Sequence, residues 1–98
     1  MKHLLLTLAL VCAATLAMAV PFTLHNNTIT SIPLVIPGVM NPNLSPLSDS
    51  GVDLEEGQKI YFIHKKKRYL LLVVTEDLRG QTLQVGELIA QRKRELGL

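Results

Sequence analysis

Two short runs, Ile60-Tyr61-Phe62-Ile63 and Tyr69-Leu70-Leu71-Leu72-Val73-Val74, consist only of aliphatic and aromatic residues, and nothing else in the chain constrains its fold as strongly. β-Branched and aromatic residues in stretches of this length favour strands. A strand that is apolar on both parities must be covered on both faces. It is either central in a sandwich or has a helix over its second face. Lys65, Lys66 and Lys67, followed by Arg68, separate the two runs, so Gln58 to His64 and Arg68 to Val74 read as a hairpin with a basic tip.

The remaining segments supply partners for that hairpin. Phe22-Thr23-Leu24-His25 alternates apolar and polar residues and then meets the turn signal Asn26-Asn27. Ile32, Leu34 and Ile36 alternate with Pro33, Val35 and Pro37 in a second strand. Both prolines have the same parity and remove donors along one side, which predicts a sheet border or a bulge. Pro37 to Ser50 (PGVMNPNLSPLSDS) reads as a long irregular stretch, pinned by Val39, Met40, Leu44 and Leu47, before Val52-Asp53-Leu54 resumes a strand. Gly57 suits the positive φ of a type II turn.

After the Gly80 turn and a short strand at Leu83 and Val85, the segment Glu87 to Leu96 reads as a helix. Leu88, Ile89, Arg92 and Leu96 lie near one stripe, Glu87 opens it, Arg92, Lys93 and Arg94 close it, and Gly97 stops it. A stripe this narrow docks on a sheet. The expected fold is mainly β: a small antiparallel β-sandwich or barrel-like domain of about five or six strands with one C-terminal α-helix.

The start of the chain has the grammar of a cleavable export signal. Met1-Lys2-His3 is a charged n-region, Leu4 to Ala14 an apolar h-region, and Ala17-Met18-Ala19 an A-x-A site that places cleavage between Ala19 and Val20. Pro21 and polar chain follow too soon for a membrane span. Cys12 lies within the apolar run after Val11, where a lipidation site needs a small residue, so it is read as part of the h-region. Residues 1–19 are thus expected to be a signal peptide and 20–98 a single exported β-rich domain, periplasmic or secreted, with no transmembrane span in the mature chain.

Cleavage removes Lys2 and leaves nine Lys and Arg against eight Asp and Glu. So even a balance argues against a nucleic-acid partner, which calls for a strong basic excess. No cysteine follows Cys12, so disulfides cannot compensate for a thin core as they do in many small exported domains. Dense apolar packing, self-association or a partner protein of the envelope or extracellular space must supply the burial. Four aromatics and no Trp weigh against sugar-binding and membrane-inserting classes.

Few residue groups suggest chemistry. Ser45, Ser48 and Ser50 lack a glycine-flanked elbow and read as turn residues, and only His25 and His64 are available as bases after the signal. Both histidines read as solvent-facing. Asp49 and Asp53 with Asn41 and Asn43 match no calcium-loop spacing. Glu55-Glu56 and Glu76-Asp77 read as hydrated turns. No catalytic residue, metal site or cofactor is expected.

Two segments stand out as candidate binding sites. One comprises Asn41, Pro42, Asn43, Ser45, Pro46 and Ser48 in the proline-stiffened stretch, where restricted φ lowers the entropy lost on binding. The other is the tip Lys65, Lys66, Lys67 and Arg68, which reads first as a solubility device. Asn26-Asn27-Thr28 and Asn43-Leu44-Ser45 are formal glycosylation sequons.

The run Ser31 to Pro46 (SIPLVIPGVMNPNLSP), followed by Ser50-Gly51-Val52 and Gly57-Gln58, resembles a family of short exported Gram-negative bacterial proteins, as does the ending Arg92 to Leu98 (RKRELGL). The resemblance spans nearly the whole chain after the signal. It implies a Gram-negative origin and a single domain, and it carries no activity or functional residue with it. The spacing L-x-x-G-Q-x-I-x-F over Leu54 to Phe62 is also similar to many exported β-sandwich domains. The functional expectation is a non-catalytic binding or structural module of the cell envelope. A small enzyme inhibitor presenting a stiff loop is the alternative, and a small hydrolase comes third.

Overall fold

In the computed structural model, which describes residues 19–98, the chain after the expected cleavage point is mainly β. The strands in order are β1 (Val20–Asn26), β2 (Ile32–Val35), β3 (Asn43–Leu44), β4 (Ser48–Leu54), β5 (Lys59–His64), β6 (Lys67–Val73) and β7 (Thr82–Gln84). A single 3-10 turn at Glu76–Leu78 precedes β7, and the helix α1 (Val85–Leu96) follows it. The strand count exceeds the expected five or six because β3 and β7 are short and are held by their neighbours. Most of the expected signal, including Cys12, lies outside the described residues.

β1 organises the first sheet, whose order is β4–β1–β7. It runs antiparallel to β4 from Val20↔Leu54 to Asn26↔Ser48 and parallel to β7 from Thr23↔Thr82 to His25↔Gln84. Its pleat points Val20, Phe22, Leu24 and Asn26 inward and Pro21, Thr23 and His25 outward. Asn26 is therefore the last residue of the strand on its core side, and the turn expected at Asn26-Asn27 begins only at Asn27.

The second sheet has the order β3–β2–β5–β6. Its buried Leu34, Leu44, Ile60, Phe62 and Leu71 join Val20, Phe22, Leu24, Val52 and Leu54 of the first sheet in one core, completed by Ile36, Val74 and Val85. Two sheets facing each other across a shared apolar layer make a small β-sandwich.

The prolines act differently from the border role expected of them. The Leu34 and Ile36 N–H groups donate to Pro42 and Met40 carbonyls at 2.8 Å each, on the β3 side. Pro33 and Pro37 consequently lack donors on the β5 side, where the ladder is confined to Leu34↔Phe62 and Val35↔Tyr61. β2 is internal, with β3 outside it. The missing donors shorten its central ladder and do not expose an edge.

The stretch 37–50 is not irregular. Ile36-Pro37-Gly38-Val39 is a tight turn, closed by the Val39 N–H on the Ile36 carbonyl at 3.0 Å, with Gly38 at φ 77°. Met40 to Leu44 returns antiparallel to β2, through the Ile36↔Met40 bridge to Ile32↔Leu44. Pro42 interrupts this ladder because it has no N–H to give back to Leu34. β4 then begins at Ser48, earlier than the expected Val52. Of the four expected apolar pins only Leu44 is buried, while Val39, Met40 and Leu47 are exposed. Main-chain hydrogen bonds hold the segment in their place.

β5 and β6 form the expected hairpin with one added device. Ile60 faces Leu72 and Tyr61 faces Leu70, which leaves Leu71 as the extra residue of a β-bulge. The bulge changes the parity of β6, so Leu72 opposite Ile60 and Tyr69 opposite Phe62 both pack against the core. This accounts for much of the unbroken apolar run. β6 lies at the sheet border, not at the centre, and Arg92 of α1 covers that border by donating from Nε to the Leu70 carbonyl at 2.8 Å. Gly97 caps the helix at φ 73°, with the Leu98 N–H reaching back to the Lys93 carbonyl at 2.8 Å. Leu96, expected on the docked stripe, is exposed.

Candidate functional site

The residues expected to form a site in 41–48 do not converge on a cavity. Asn41, Pro42 and Asn43 lie along the border arm that returns from the Pro37-Gly38 turn, and Ser45, Pro46 and Ser48 belong to a second tight turn. In that turn the Ser48 hydroxyl donates to the Ser45 carbonyl at 2.6 Å, and the Leu47 N–H donates to Thr28 at 3.2 Å. Leu47 adopts φ 54°, a left-handed conformation unfavourable for a branched aliphatic residue, and is 68% exposed.

Asn26 holds the Ser45–Ser48 turn and the loop that follows β1 in place. Its Nδ2 donates to the carbonyls of Thr30 at 2.8 Å and of Leu44 and Ser45 at 3.1 Å each, and its Oδ1 accepts from the Thr28 N–H at 2.9 Å and hydroxyl at 2.6 Å. A polar residue at a core position of a strand is stable only when satisfied in this way. With a relative exposure of 0%, the acceptor Asn26 of the first sequon is closed to a glycan, whereas Asn43 of the second is exposed.

A groove of about 290 Å³ opens between α1 and the second sheet. Gly86, Ile89 and Lys93 face it from three successive turns of the helix, Ile32, Phe62 and Ile63 form the sheet wall, and Thr28, Thr30 and Ser31 close one end. Gly86 sets how closely the parts approach. A Cβ there would stand 3.0 Å from Thr28 Cγ2 and 3.4 Å from Asn27 Oδ1. Thr28 cannot turn away easily, because its hydroxyl donates to Asn26 Oδ1 at 2.6 Å. The groove has an apolar floor, hydroxyls at one end and one cation, Lys93. Sequence reasoning missed it. The only local signal was Gly86 in line with Ile89 and Lys93 on one helix face.

The basic tip stands at the same end of the second sheet as Lys93. His64 and Lys67 are the last pair of the hairpin, leaving a two-residue connection in which Lys65 has φ 50° and Lys66 φ 67°. Positive φ at both central residues defines a type I′ turn, the geometry that usually selects Asn-Gly. Lys65, Lys66, Lys67 and Arg68 are all exposed. Partial burial, and then the charges of Lys93 and Lys65, hold the His64 imidazole below its ordinary pKa. Its ring meets that of Tyr69 edge-on, with centroids 6.3 Å apart.

The two histidines lie in different sheets. His25, on the outer side of β1, is not simply solvent-facing, since its Nδ1 meets Asp49 Oδ1 at 2.5 Å across the β1–β4 pair. Asp53 is exposed on the same strand. Among the described residues no three His, Cys, Asp or Glu side chains cluster as a metal site would require, and no helix is long and apolar enough to cross a membrane. Glu55-Glu56 and Glu76-Asp77 are exposed at turns, with Glu76 bonded to Arg79.

Comparison with protein-family models, with curated proteins and with solved structures returns no match.

Proposed function

We propose that the protein is an exported, non-catalytic binding module of the cell envelope, and that its ligand seats in the groove between α1 and the second sheet. The supporting observation is the groove itself, with Ile32, Ile63 and Ile89 beside Lys93. An apolar cleft with a few placed polar groups is the usual form of a ligand site. Its chemistry suits a ligand with an apolar body and one anionic group. β1 begins at Val20, the residue the signal reading places first in the mature chain, which fits export after cleavage.

Anilinonaphthalene sulfonate, an anionic aromatic probe, tests the groove. The folded protein is expected to bind it, with backbone NMR shifts at Ile32, Ile63 and Ile89, and Lys93→Gln is expected to weaken that binding. Shifts confined to other surfaces, or no binding by the folded protein, would remove the groove from the proposal.

The enzyme-inhibitor reading is favoured by one observation. Leu47, strained and exposed behind Pro46, has the presentation of a residue offered to another protein's pocket. Leu47→Gly would abolish inhibition and leave probe binding in the groove unchanged.

A further inference from the structure

We propose that the β5–β6 tip docks the protein onto an anionic membrane surface. Side chains with a Cβ are disfavoured at both central positions of a type I′ turn, yet lysines occupy both, at φ 50° and 67°. Solubility does not require this arrangement, because lysine at any unstrained surface position would serve equally. Protection of a sheet border does not explain it either, since Lys67 and Arg68 already stand on the border strand β6 without any strained turn position. Strain kept in place by side chains of one kind points to a role for those side chains.

Charge in this molecule is segregated. Four of the nine cations that follow Ala19 stand consecutively from Lys65 to Arg68, three more stand consecutively from Arg92 to Arg94, and only Lys59 and Arg79 stand alone among the acids. Among the described residues none of the four tip cations takes part in an ion pair. Lys93 lines the groove together with Ile63, the residue next to His64, which brings a further positive charge to the side of the tip.

A lipid surface fits better than a soluble polyanion, because an exposed aliphatic side chain accompanies the charge. Ile63 is exposed just inside the tip. Cations beside an exposed apolar side chain match the boundary between headgroups and acyl chains. Each basic residue close to an anionic membrane strengthens binding about fivefold.

Co-sedimentation of the processed protein with phosphatidylcholine vesicles, with and without about 30% phosphatidylglycerol, tests the proposal. Binding is expected only to the anionic vesicles and is expected to fall as salt rises. Lys65→Asn combined with Lys66→Gly retains the turn, so this variant should melt higher than the wild type and bind roughly 25-fold more weakly. Lys67→Gln combined with Arg68→Gln should weaken binding similarly with little change in melting. Equal binding by the wild type and both variants would overturn the proposal. So would retention on a sulfated polysaccharide without retention on vesicles, which would assign the tip to a soluble polyanion.

Discussion

The side-chain amide of Asn26 donates to the main-chain carbonyl of Leu44, joining the end of β1 to the border strand of the opposite sheet. The same side chain bonds Thr28, Thr30 and Ser45, so its removal leaves the buried Leu44 carbonyl without this donor and releases three part-buried bonds at once. An unsatisfied buried group costs about 1–3 kcal/mol. Asn26→Ala should therefore lose at least about 2 kcal/mol in urea denaturation, a large share of what a domain of this size has. An unchanged midpoint would show that water takes over these bonds.

Gly86 offers a test in which local propensity and packing oppose each other. Gly86 is the second residue of α1, where alanine gains less over glycine than the roughly 1 kcal/mol of a helix interior, and the alanine methyl would meet Thr28 Cγ2 at 3.0 Å. Because the Thr28 hydroxyl is fixed by Asn26, the clash should prevail, and Gly86→Ala should lower stability by about 1 kcal/mol. Thr28→Ser deletes Cγ2 and retains the hydroxyl. Adding it to Gly86→Ala should restore stability, and a double-mutant cycle without coupling would refute this geometry.

Leu71, the bulged residue of β6, is buried under the core face. Truncating a buried leucine costs about 2–5 kcal/mol, so Leu71→Ala should be largely unfolded at physiological temperature by circular dichroism. A near-native melting curve would mean that the bulge closes over the missing side chain.

His64 should titrate below its unfolded value of about 6.5, because burial and the charges of Lys93 and Lys65 disfavour its proton. A histidine whose folded pKa is depressed contributes stability above the unfolded pKa. That contribution is lost as pH falls from about 6.5 through the folded pKa, where the unfolded chain binds more protons. Lys93→Ala, or ionic strength near 1 M with a screening length of about 3 Å, should raise the NMR titration midpoint. A midpoint indifferent to both would assign the shift to burial alone.

The β5–β6 hairpin and α1 were legible in the sequence because their signals are local: apolar runs, a basic tip, a 3.6-residue stripe and a terminal glycine. The bulge at Leu71 was not, since it changes parity inside a run that is apolar throughout. The turn at Pro37-Gly38 was legible only as the start of a long irregular stretch. The return arm behind it was hidden because Pro42 breaks the alternation and most of its apolar residues stay exposed. Asn26 read as a turn residue because its partners at Leu44 and Ser45 lie far along the chain. The groove draws on 28–33, 62–63 and 86–93, segments that become neighbours only once both sheets and the helix are in place.

The parallel pairing of β1 with β7 ties the timing of folding to a segment far downstream of β1. β4 and β7 have no strand neighbour in their sheet other than β1, and β7 ends at Gln84, immediately before α1. A growing chain can form the β5–β6 hairpin early, but the first sheet stays open until Thr82–Gln84 has left the ribosome. Contacts between distant segments form slowly because the loop must close first. The first sheet therefore stays incomplete until β7 is available, a property that would suit the export proposed above, since an unfinished sheet resists threading less than a closed one.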